Sequence, residues 1–95
     1  MKKGYIYIIS NKNRTVLYTG VTSDIRNRIW RHKEHEGATF AARYNCTDLV
    51  YYEEHPDMSI AIQREKQIKN WKREWKDELI KSINPEMKDL SDELW

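Results

Sequence analysis

The longest unbroken apolar stretch of the chain runs from Tyr5 to Ile9. Together with its flanks, Gly4 to Ser10 is rich in β-branched and aromatic residues, which predicts a strand. Alternation places Tyr5, Tyr7 and Ile9 on one face, and Ile6 and Ile8 on the other. Asn11-Lys12-Asn13-Arg14 is a polar turn, and Thr15 to Thr19 reads as a second strand ending at Gly20. Val16, Tyr18 and Gly20 then share a face, and the short connection predicts an antiparallel hairpin. Thr47 to Glu54 gives a third strand, stopped by His55-Pro56-Asp57.

Between and after the strands the pattern changes to helical spacing. Thr22, Ser23 and Asp24 offer side-chain acceptors for a helix start, followed by a basic helix over 24–35. Ile25 and Ile29 face the sheet; Arg28 and His32 form the strip beside them, with His35 further along. Residues 36–46 read as a loop with one helical turn around Phe40 to Arg43. Asp57 caps a further helix, whose wheel puts Ile60, Ala61, Ile68, Trp71, Trp75 and Leu79 in one core-facing stripe. Glu65 lies just off that stripe. Arg64 falls inside it, where a charge has no evident partner. A bend or break is expected near Asn70, and Asn84-Pro85 ends the helical region.

Ninety-five residues suffice for one domain. The expected class is α/β (α+β): a small three-stranded antiparallel sheet flanked by helices. Charged residues make up 34% of the chain, above the usual ~25%, so a large solvated surface surrounds a core dependent on its aromatics. The net charge of +2 is unevenly spread. Residues 1–76 carry fifteen Lys/Arg against nine Asp/Glu, giving +6, whereas residues 77–95 carry two against six, giving −4. A basic body suits a polyanionic partner. The acidic stretch 86–95 reads as a tail to a domain over 1–85, with Leu90, Leu94 and Trp95 as anchors. The lone Cys46 is a small buried filler and fits a reducing compartment. No segment approaches a bilayer span, so a cytoplasmic protein with no membrane partner is expected.

The order Tyr5-Ile6-Tyr7, Tyr18-Thr19-Gly20, Arg28 on a helix, Glu65 on a later helix and then Asn84-Pro85 resembles the GIY-YIG nuclease superfamily. It is similar to the small stand-alone bacterial type and to the N-terminal catalytic domain of the excision-repair nuclease. The likeness covers residues 4 to about 85. Tyr5 stands where the family name has Gly, and Thr19 where it has Ile; Tyr7, Tyr18 and Gly20 are kept.

The resemblance implies a GIY-YIG endonuclease fold and a metal-dependent endonuclease that hydrolyses DNA, leaving a 3′-hydroxyl and a 5′-phosphate. By position the proton acceptor is Tyr18 or Tyr7. A free phenol, with a pKa near ~10, is a weak base unless neighbouring cations lower it. Arg28 would clamp the scissile phosphate with its forked donors. Glu65 would hold one Mg²⁺ or Mn²⁺, weakly without substrate, because one carboxylate needs water and phosphate oxygens to complete the shell. His32 is a candidate for protonating the leaving group or holding a phosphate, and Asn84 matches the family's C-terminal asparagine. Lys69 and Gly20 are the candidate substrate-binding residues. The DNA would be recognised by shape with low sequence specificity, by a monomer or weak homodimer. Two other classes compete: a nucleic-acid-binding module without turnover, and a protein-interaction domain using the acidic tail.

Overall fold

Every residue of the apolar stretch from Ile6 to Ile9 is buried, because this strand is the middle one of the sheet. The structure, a computed structural model, describes residues 2–34 and 39–94, with Thr39 as backbone only; His35, Gly37 and Trp95 lie outside the described residues. β1 (Gly4–Ser10), β2 (Leu17–Thr22), α1 (Ile25–Lys33), α2 (Thr39–Arg43), β3 (Asp48–His55), α3 (Met58–Lys69) and α4 (Arg73–Ile83) precede a 3₁₀ turn at Ser91–Leu94. The strand order is β2-β1-β3, with both pairings antiparallel.

A central strand buries both faces, so the alternation predicted for β1 divides the core in two. Tyr7 and Ile9 join Ile25, Ile29, Ala41, Cys46, Leu49 and Leu94 on one side. Ile6 and Ile8 join Val50, Ala61, Ile68 and Ile80 on the other. α3 approaches β1 so closely that a Cβ on Gly4 would stand 2.6 Å from the Cβ of Ala61.

The second strand starts two residues later than expected and also ends later. The Asn11 side-chain oxygen accepts from the amides of Thr15 (2.9 Å) and Val16 (3.0 Å), so neither enters the ladder and β2 begins at Leu17. At the other end Gly20 does not stop the strand; Val21 and Thr22 go on to pair with Ile6 and Tyr5. α1 has its cap at Asp24, which accepts from the Asn27 amide, and α3 has its cap at Asp57, which accepts from the Ile60 amide.

The expected break is present: α3 ends at Lys69 and α4 starts at Arg73. One helical wheel therefore cannot run through it, and this corrects the core stripe. Ala61 and Ile68 are buried and Trp71 and Leu79 pack beside them, but Ile60 and Trp75 are exposed. Arg64 acquires its explanation too. It donates to Glu53 from Nε (3.1 Å) and Nη2 (2.9 Å), and its guanidinium stands 5.3 Å from the Trp71 ring centre.

Residues 86–94 lie on the body. The Leu90 amide donates to the Leu49 carbonyl (2.6 Å), the Asp89 carboxylate accepts from the Leu49 amide (3.0 Å) and from Lys33, and Leu94 enters the core. Among the described residues no helix is long and apolar enough to cross a membrane.

Glu53 also accepts from Tyr51 and is bonded to His55 Nε2 (2.9 Å). Burial would raise its pKa, but the hydrogen bonds from Arg64, Tyr51 and His55 outweigh that and hold the carboxyl at about 2. Because the folded value lies below the ordinary 4.5, the stabilisation is present above that pH and fades as pH falls towards 2. Denaturant titrations of wild type and Glu53→Gln should differ clearly at neutral pH and converge towards pH 2. A constant gap across that range would rule out an ionised Glu53 as the source.

Candidate active site

The pairing of β1 with β2 sets Tyr7 directly across from Gly20. A Cβ on Gly20 would come within 2.3 Å of both the ring carbon Cζ and the hydroxyl of Tyr7. The phenol therefore lies across the glycine, fully buried, with its hydroxyl aimed at α1. There it is 3.0 Å from His32 Nε2 and accepts from Arg28 Nη1 at 3.4 Å. Arg28 and His32 are one turn apart on a helix seated by Ile25 and Ile29. Tyr18, two residues before Gly20 and on the same face, is half-buried. Its ring centre is 6.4 Å from that of Tyr7 and 5.9 Å from that of His32.

α3 packs against the edge strand β2, and two of its side chains reach past that edge to the tyrosines. The Glu65 carboxylate, only 14% exposed, is near enough to act on the Tyr7 phenol electrostatically. Lys69 pairs with Glu65 at 3.2 Å and holds its ammonium 5.8 Å from the Tyr18 ring centre. Tyr7, Tyr18, Gly20, Arg28, His32, Glu65 and Lys69 are thus gathered at one place.

Burial pushes the Tyr7 phenol above its ordinary pKa, against the hydrogen bond and charge of Arg28, which pull it down. The expectation that cations lower a phenol is therefore not met at Tyr7. Burial also lowers His32, with the charges of Arg28 and Arg31 adding to the effect, to about 4. His32 is neutral at pH 7. A protonated Tyr7 can accept from Arg28 and donate to an unprotonated Nε2 at once, the arrangement in which the imidazole proton sits on Nδ1.

Asn84 makes its contacts elsewhere. Its amide donates to the carbonyls of Val50 and Lys88, both at 2.9 Å, and its oxygen accepts from the Lys88 amide at 3.1 Å. Both donors are spent on holding the end of α4 to β3 and the tail. Phe40 and Tyr44, for which no role is expected from their sequence pattern, join the cluster instead. Phe40 stacks on Tyr18 at 6.0 Å, and Tyr44 packs on Phe40 at 4.8 Å. Their spacing of four, one on α2 and one directly after it, was the available signal.

Glu65 is a hard oxygen donor, and among the described residues no three His, Cys, Asp or Glu converge on a point. A single carboxylate fits an Mg²⁺ or Mn²⁺ completed by water and substrate, not a cage of protein ligands.

The GIY-YIG catalytic domain profile matches residues 3–78. This chain belongs to the GIY-YIG family. The GIY-YIG chain is 40% identical over 80 residues to a UPF0213 protein of Staphylococcus saprophyticus, covering 84% of this chain and 96% of that one. A UPF0213 protein of Natronomonas pharaonis is 36% identical over 76 residues, covering 80% and 88%. The solution NMR structure of a UPF0213 protein from Bacillus halodurans superposes with a TM-score of 0.56 at 26% identity, over 92% of each chain. The fold is that of a small stand-alone GIY-YIG protein, and the domain is of the nuclease type.

Two substitutions separate the roles of the GIY-YIG residues. Gly20→Ala forces the Tyr7 ring off its seat and should cost about 1–3 kcal/mol. Thermal unfolding followed by circular dichroism would register that as a midpoint lower by ~4–8 °C per kcal/mol. An unchanged midpoint would mean that the ring does not depend on the glycine. Asn84→Ala strands buried backbone groups and should cost about 1–3 kcal/mol in urea titrations. An unchanged urea midpoint would mean that these bonds do not hold the chain end.

Proposed function

We propose that this GIY-YIG domain is a metal-dependent endonuclease that hydrolyses phosphodiester bonds in DNA. The observation that carries the proposal is the convergence of two phenols, a guanidinium and one nearly buried carboxylate, drawn from β1, β2, α1 and α3, at one place. Hydrolysis needs a positioned water, an acceptor for its proton and positive charge on the phosphate oxygens.

Of the two tyrosines, half-buried Tyr18 is the one with access to water, and we assign the proton-acceptor role to its phenolate form, with the Lys69 ammonium 5.8 Å from its ring. Tyr7, buried and holding its own proton, positions Arg28 and His32. Arg28 uses one Nη on Tyr7 and keeps its remaining donors for two phosphate oxygens, which lysine could not span. His32, neutral with a pKa of about 4, serves as the acceptor that orients Tyr7 and not as an acid at neutral pH. Lys69, on a half-exposed side chain, can leave Glu65 to neutralise a flanking phosphate. Glu65 would hold the divalent cation, which supplies positive charge against the charge growing on the phosphate oxygens. A surface this small spans few base pairs, which favours recognition by shape over a long sequence.

The Glu65–Lys69 pair favours a second reading. An i, i+4 bridge is common on helices, and a carboxylate kept for that purpose would leave a nucleic-acid-binding module without turnover.

Arg28→Ala and Glu65→Ala should each lower Mg²⁺-dependent cutting of labelled DNA by about 10²–10³-fold. EDTA should abolish cutting, and the thermal midpoint should barely move. Salt-sensitive DNA binding with no cutting under any metal would decide for the binding module.

A further inference from the structure

The row of aromatic rings that starts at Tyr18 does not stop at the site. Phe40 lies nearly parallel to Tyr18, at 26° between planes, and Tyr44 follows at 4.8 Å from Phe40. Both outer rings are nearly half in water, Phe40 at 46% and Tyr44 at 44% exposure. They are nonetheless firmly placed. Ala41 is buried on the inner side of α2, and its carbonyl accepts from the Cys46 amide at 2.9 Å, which ties the helix end to the core. With Ala41 turned inward, Phe40 on α2 and Tyr44 directly after its end are both presented outward. Adjacent exposed rings, unlike apolar side chains scattered singly, form a contiguous patch of the sort that binding sites use.

Charge narrows what can occupy it. Arg28 and Lys69 stand at the inner end of the row, and Arg43 is exposed on α2 between the two outer rings in sequence. Flat apolar faces beside cations fit a strand of nucleotides, with bases on the rings and phosphates on the cations. Duplex bases are stacked on one another and offer only edges, so the faces that the rings require come from unpaired nucleotides.

We propose that Phe40 and Tyr44 form a stacking platform for unpaired bases of a DNA strand flanking the phosphate held at Tyr18 and Arg28. The proposal rests on the nuclease reading for the phosphate at the inner end. It assigns the enzyme a substrate with single-stranded character next to the cut.

Fluorescence anisotropy in EDTA, with labelled oligo-dT and a duplex of equal length, tests the platform apart from catalysis. Phe40→Leu and Tyr44→Leu keep apolar bulk but lose the ring face. Each should weaken oligo-dT binding about 10-fold, and the pair about 100-fold, with duplex binding changed less than about 3-fold. Phe40→Trp should restore or strengthen it, a result that a merely structural role would not produce. Equal losses on both DNAs, or none on either, would overturn the platform. Cutting assays with Mg²⁺ on the same proteins separate the two ideas. Ring-dependent binding without any cutting sinks the nuclease and keeps the platform. Metal-dependent cutting that ignores both leucine variants sinks the platform and keeps the nuclease.

Discussion

The phenol of Tyr7 lying across Gly20 is the constraint on which the remainder of the site depends. A side chain at position 20 and the ring at position 7 cannot coexist, so the pair fixes which residues of β1 and β2 face one another. A slip by one residue would turn Tyr7 to the opposite face. With the register fixed, the hydroxyl arrives where α1 can meet it, and α1 in turn is seated by Ile25 and Ile29. The ring also fills the volume that the glycine leaves vacant, so a position that would weaken an ordinary strand becomes part of the core.

Burial of that phenol has an electrostatic side. Removed from water, it keeps its proton, and a neutral Tyr7 can both accept from Arg28 and donate to His32. An ionised Tyr7 could not donate at all. The same desolvation keeps His32 uncharged, so the guanidinium is the cation of the inner group. Positive charge is thereby aimed outward, towards whatever anion approaches Tyr18.

Much of this was legible in the sequence, for reasons that differ by element. β1 could be read because a central strand buries both faces and shows as a continuous apolar stretch. The caps at Asp24 and Asp57 could be read because a short acceptor before a helical pattern has few other uses. Arg28, His32 and Glu65 were legible through helical spacing, and the tyrosines through the family pattern. The start of β2 was not, because Asn11 takes two amides by a side-chain bond that no periodicity reports. The exposure of Trp75 was missed since a wheel drawn from Ile60 assumes an unbroken axis, and the chain turns at residues 70–72. Phe40 and Tyr44 were overlooked because a five-residue helix is too short for its outer face to show in a pattern. Asn84 matched by position, while its hydrogen bonds, visible only in three dimensions, tie down the chain end.

The two neighbours of β1 stand at very different distances along the chain. Ser10 meets Leu17 after a short loop, but on its other side it meets Asp48. During synthesis the hairpin of β1 and β2 can close early, whereas the second edge of β1 waits for a strand that emerges much later. Throughout that interval the most apolar strand of the protein presents unpaired amides and carbonyls, the condition under which strands join to other chains. The nascent hairpin, and not the finished domain, is therefore the form most prone to self-association, and arrival of β3 is the step that removes the hazard.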